Sequence, residues 1–73
     1  MINWIEVHDS SRVSAVAYDS EQETIYVRFR NSGVEWWYAA CPQHVWEEFT
    51  MPGVSKGSFI HDTLDNHPNG RLA

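Results

Sequence analysis

The chain has 73 residues, a formal charge of −5 and only five Lys and Arg, with four Trp, three Tyr and three Phe. That length holds one hydrophobic core and not two, and the aromatic residues supply the large buried areas a small core needs. The charge argues against a general nucleic-acid binder, whose phosphate contacts require basic side chains, and the single Cys excludes an internal disulfide and a cysteine-based metal cluster.

Residues 1–9, MINWIEVHD, carry Trp4, Ile5 and Val7 and read as an ordered lead-in that covers one edge of the core. Glu6 and Asp9 interrupt this segment, and no apolar run leads into small residues, so no signal peptide is expected. No stretch approaches the length of a membrane span, and a soluble, cytoplasmic protein is the expectation. His8, Asp9, Ser10 and Ser11 contain every residue type of a hydrolase triad. Consecutive residues of an extended chain point in different directions, however, and triads are built in space. The stretch reads as a turn held by Asp and Ser hydroxyl groups ahead of the first strand.

Three strand-like runs follow. Residues 12–18 alternate Ser14, Val16 and Tyr18 with Val13, Ala15 and Ala17. Residues 24–30 alternate cleanly, Ile25, Val27 and Phe29 against Tyr26, Arg28 and Arg30. Residues 34–39 make the third run, after the turn RNSG. A hairpin pairing Arg30 with Gly33 also pairs Phe29 with Val34, Val27 with Trp36 and Ile25 with Tyr38. Its other face then holds Arg28 with Glu35 and Tyr26 with Trp37. A slip of one residue sets Phe29 against Glu35 and Arg28 against Trp36, mixing the faces, so the first register is preferred. Pairing Val16 with Val27 and Tyr18 with Ile25 extends the apolar face into the first strand. Trp36 and Tyr38 thus belong to the core, and Trp37 to the opposite face.

Two helices are expected to cover the apolar face. In PQHVWEEF, Pro42 suits a first helical position and Pro52 stops the helix, while Val45, Trp46 and Phe49 share one side. In SKGSFIHDTL, Ser55 or Ser58 can cap, and Phe59, Ile60 and Leu64 make an apolar stripe despite Gly57. The last residues, 67–73, contain Pro68 and Asn69-Gly70 and read as a flexible tail. The fold class is α+β: a three-stranded antiparallel β-meander with one or two short helices packed on one face, in a single domain over residues 10–66.

Taken in order, Ser10-Ser11, Tyr18-Asp19, the alternating run 25–29, Gly33, Trp36-Trp37-Tyr38, Pro42 with Val45-Trp46, and Ser55-Lys56-Gly57-Ser58-Phe59 resemble the pattern of the KTSC domain. That family is named after a C-terminal extension of some lysyl-tRNA synthetases and also occurs as a stand-alone small protein in bacteria and phages. The resemblance spans roughly residues 10–65. Trp36 replaces the usual Tyr, Cys41 stands where Val is common, and the flanks are acidic. The family has no established activity; RNA binding has been suggested for it, and an acidic chain lends that little support.

Candidate chemistry is sparse. His44 with Glu48, or His61 with Asp65, lie four apart on helical segments, but no His-x-x-x-His or Glu-x-x-His pattern occurs, and neither metal nor cofactor is expected. Cys41 reads as a small buried hydrophobe. Ser55, Lys56, Gly57 and Ser58 resemble an anion cradle without the spacing of a phosphate loop, and capping with close packing at the glycine is the plainer reading. Tyr26, Arg28, Arg30 and Trp37 share the second sheet face, where aromatic and Arg side chains can anchor a protein or stack bases. The lead-in with Trp4 and Ile5 is the segment able to cover that face. No enzyme activity is expected. The leading expectation is a binding module that takes a protein partner through Tyr26, Arg28, Arg30 and Trp37, with RNA, and a small anion near residues 55–58, as alternatives.

Overall fold

The computed structural model describes residues 2–72. Five strands, β1 (Ile5–Glu6), β2 (Val13–Asp19), β3 (Thr24–Phe29), β4 (Glu35–Tyr38) and β5 (Asn69–Arg71), form one sheet in the order β1-β2-β3-β4-β5, every pair antiparallel. Two helices, α1 (Gln43–Phe49) and α2 (Lys56–Asp62), and a 3-10 turn at Leu64–Asn66 stand between β4 and β5. The fold is therefore α+β with five strands and two helices, where three strands are expected from the sequence. The added strands are both edges. The lead-in contributes two residues, and Asn69–Arg71, expected in a flexible tail, pairs along β4 with Trp37 opposite Gly70.

The central register is the expected one. Ile25 faces Tyr38, Val27 faces Trp36 and Arg28 faces Glu35, while Val16 faces Val27 and Tyr18 faces Ile25. Gly33, at φ 72°, makes the left-handed turn position that RNSG requires, and its N–H donates to the Phe29 carbonyl at 2.9 Å. One irregularity escapes the alternation rule. A bulge between Val13 and Ala15 sets Val13 opposite Phe29, so Val13 leaves the face of Ala15 and Ala17 and is fully buried in the core.

That core lies between one sheet face and the helices. Val13, Val16, Ile25, Val27 and Tyr38 meet Val45 and Phe49 of α1, Ile60 of α2 and Leu64, with Cys41 among them. Aromatic contacts tie the layers together: Tyr18 stacks on Trp46 at 5.4 Å, and Phe49 packs on Phe59 at 5.3 Å. Each such pair adds about 1 kcal/mol beyond its buried area. Pro42 stands one residue before α1, at its cap, and Ser55 caps α2 by accepting a hydrogen bond from the Ser58 N–H.

Candidate functional site, the helix-free sheet face

Both helices pack on one face, which leaves the other face of the sheet to its own side chains. Tyr26 and Trp37 lie side by side across β3 and β4, with Arg28 beside Glu35 in the next row. Because Ile5 faces Val16 in the core register, its neighbour Trp4 falls on the opposite side of β1. There Trp4 meets Tyr26 edge-on at 6.4 Å, and the Arg28 guanidinium lies 4.5 Å from the Trp4 ring centre. Ala15 and Ala17, each 1 % exposed, form a floor of small residues beneath this layer. At the far edge the Trp37 indole lies on Gly70, where a Cβ would come within 2.8 Å of Cζ2. A side chain on β5 at that position would evict the ring.

Polar groups on this face are unequally satisfied. Arg28 Nε donates to Glu35 Oε2 at 2.9 Å, and the pair is about two-thirds buried. With the Trp4 ring over its guanidinium, Arg28 is paired on two sides. By contrast, the indole N–H groups of Trp4 and Trp37 and the Tyr26 hydroxyl find no partner among the described residues. Among the described residues no buried side-chain polar atom lacks a partner either, so these three tips face water. The result is an aromatic surface whose polar points are mostly donors and whose one cation among the described residues, Arg28, is neutralised.

Arg30 does not join it. Its guanidinium donates to the carbonyls of Val7 (2.6 Å), Ser10 (3.0 Å) and Val13 (3.0 Å), binding the β1–β2 connection to the end of β3. Of the expected constellation, the structure brings Tyr26, Arg28 and Trp37 together and replaces Arg30 with Trp4. The alternation of Trp4 and Glu6 with Ile5 and Val7 was the available signal for Trp4, readable once the lead-in is taken as a strand.

The two hydroxyl-rich stretches, far apart in the chain, meet on the helix side. Residues 9–12 and 55–58, with His61 and Asp62, line an open groove of about 500 Å³. Most of its groups have structural duties. Ser10 Oγ accepts from the backbone N–H groups of Arg12 and Val13, Ser55 caps α2, and Gly57 gives passage to the Arg12 side chain, whose Cδ lies 3.1 Å from where a Cβ would stand. Arg12 and Lys56 reach onto the Phe29 and Phe49 rings at 6.0 and 5.8 Å. His8 lies 3.9 Å from Glu6, and His61 contacts Asp62. Among the described residues, no three His, Cys, Asp or Glu side chains converge as a metal site would require. Cys41 is fully buried, and burial pushes its thiol pKa up, the direction of an unreactive thiol. No helix among the described residues is long and apolar enough to cross a membrane.

Together these features define a small α+β domain with a single antiparallel sheet, helices on one face and aromatic side chains on the other. The family model for the KTSC domain matches residues 9–67, most of the chain, and the protein belongs to that family. The crystal structure of a KTSC domain protein from Yersinia pestis superposes with a TM-score of 0.85 at 24% identity, covering 100% of both chains. At that identity the likeness is one of fold. Comparison with curated proteins finds no match.

Proposed function

We propose that this KTSC domain is a non-catalytic module that recognises a protein partner through its helix-free sheet face, with Trp37 and Trp4 as anchors. The observation that carries this reading is the half-buried layer of Trp4, Tyr26 and Trp37, whose polar tips reach water unpaired. Large, rigid aromatic side chains on a preformed surface lose little entropy on contact and dominate protein interfaces. RNA binding is less well supported, because Arg28 is paired with Glu35 and Trp4 while Arg30 is committed to three carbonyls. Stacked bases would find aromatic rings here but, among the described residues, no free cation for their phosphates.

The test is selection of peptides from a displayed library on the immobilised protein. Enrichment is expected to disappear with Trp37→Ala and Trp4→Ala and to survive Lys56→Ala. Saturable quenching of tryptophan fluorescence by short mixed single-stranded RNA, weakening with salt, would favour the RNA reading instead. A second reading rests on the groove that joins residues 9–12 to residues 55–58: a small anionic ligand met by Arg12 and Lys56. Its sign would be a saturable rise in Tm with phosphate or a nucleotide, lost with Lys56→Ala.

A further inference from the structure

The helix-free face has a polarity that narrows what can lie on it. Trp4 and Trp37 each present an indole N–H, a donor with no acceptor capacity. The Tyr26 hydroxyl is the third unpaired tip, and the Glu35 carboxylate is held by Arg28. A segment lying here can offer carbonyl oxygens, but it finds few acceptors for backbone N–H groups of its own. At the Tyr26 end, the face opens into a notch of about 360 Å³. Tyr26 and Ile2 supply its apolar walls and Asp19 and Glu21 its charge, and among the described residues no basic side chain lines it.

Resting on the protein-binding reading above, we propose that the occupant of this face is an extended, proline-containing peptide segment bearing a Lys or Arg beside its prolines. The polyproline II conformation suits each feature in turn. Its carbonyls point outward and are free, proline has no N–H to satisfy, and its rings fit between aromatic ridges. Its order is present before binding, so a small face can hold it without a large ordering cost. Trp37, Tyr26 and Trp4 are those ridges, standing over the buried Ala15 and Ala17. The basic residue enters the notch beside Asp19 and Glu21, which also agrees with a chain of net charge −5. Asp19 is half committed already, since its Oδ1 accepts from the Glu21 and Gln22 N–H groups, so Glu21 is the carboxylate free to meet the cation. A second copy of the chain would bring like charge against like and is the less suited occupant.

The experiment uses the full chain labelled with nitrogen-15 and three synthetic peptides. One contains several prolines flanked by Arg, one has the Arg replaced by Glu, and one has the prolines replaced by Ala. The Pro/Arg peptide is expected to move the indole N–H signals of Trp4 and Trp37 saturably while those of Trp36 and Trp46 stay in place. Affinity is expected to fall roughly tenfold with either altered peptide. Glu21→Lys, an exposed turn substitution that leaves the fold intact, should weaken the Pro/Arg peptide about as much and strengthen the Glu peptide. Equal binding of the Arg and Glu peptides overturns the assignment of the notch. No binding by any of the three, with the display selection yielding proline-free ligands lost in Trp37→Ala, overturns this inference while the protein-binding reading stands. A selection without enrichment overturns both. A concentration-dependent dimer in sedimentation, abolished by Trp37→Ala, assigns the face to a second copy and overturns the peptide.

Discussion

Tyr38 lies with its ring almost wholly within the core, 2 % exposed. Burial, and then the Asp65 carboxylate, push its phenol from 10.0 up to about 12, with Arg12 pulling the other way. The folded pKa is thus above the unfolded one. Stability linked to this proton is intact below pH 10 and is lost as the pH rises toward 12, where the unfolded chain ionises more readily. Tyr38→Phe is expected to leave stability near neutral pH almost unchanged, since the hydroxyl has no hydrogen-bond partner among the described residues, and to flatten the alkaline loss. Urea midpoints measured from pH 8 to pH 12 on both proteins check this. At this scale the sequence was informative about Trp36, Trp37 and Tyr38, because a period of two allows only one division of three adjacent aromatics. It was silent about Arg30, whose side chain shares the parity of Tyr26 and Arg28 but turns to carbonyls brought in from elsewhere in the chain.

Strand existence was legible where apolar residues alternate over six or seven positions and illegible at the edges. β1 has two residues and β5 reads Asn-Gly-Arg, a turn by composition. Pairing with β4 overrides that preference, and Gly70 is retained in a strand because the Trp37 ring rests on it. Gly70→Ala therefore tests the sheet edge and the site together. Its Cβ would stand 2.8 and 3.0 Å from the rigid Cζ2 and Cε2 of Trp37. The ring must move, at a cost of about 1–3 kcal/mol, and the near-ultraviolet circular dichroism should lose intensity. The other edge depends on Arg30. Arg30→Ala removes three charge-assisted hydrogen bonds and, because the side chain is exposed to water, is expected to cost about 1 kcal/mol. Hydrogen exchange should accelerate first at Ile5 and Val7, whose segment Arg30 holds, while β3 and β4 stay protected. The bulge in β2 belongs to the same class of hidden feature. Strict alternation puts Val13 beside Ala15, and only the extra residue turns it into the core.

For the whole molecule, on the proposed reading, the division into a helix-covered face and a helix-free face separates stability from recognition. The core cluster lies entirely on the helix side, so substitutions at Trp37 reach little of it. The charge of −5 belongs to the molecule as a whole and on that reading would govern encounter, whereas the aromatic layer would govern how long a partner stays. A basic partner should therefore show an association rate that falls as salt rises from low to physiological concentration, with a dissociation rate that hardly changes. Trp37→Ala should do the reverse, raising the dissociation rate roughly tenfold or more with little change in association. Stopped-flow tryptophan fluorescence with a selected peptide ligand, at two salt concentrations, separates the two effects. RNA would behave differently, its equilibrium affinity falling by orders of magnitude over the same salt range through counterion release. If salt acts chiefly on dissociation, the contact is held by charge, and the anchoring role assigned to the Trp4, Tyr26 and Trp37 layer fails.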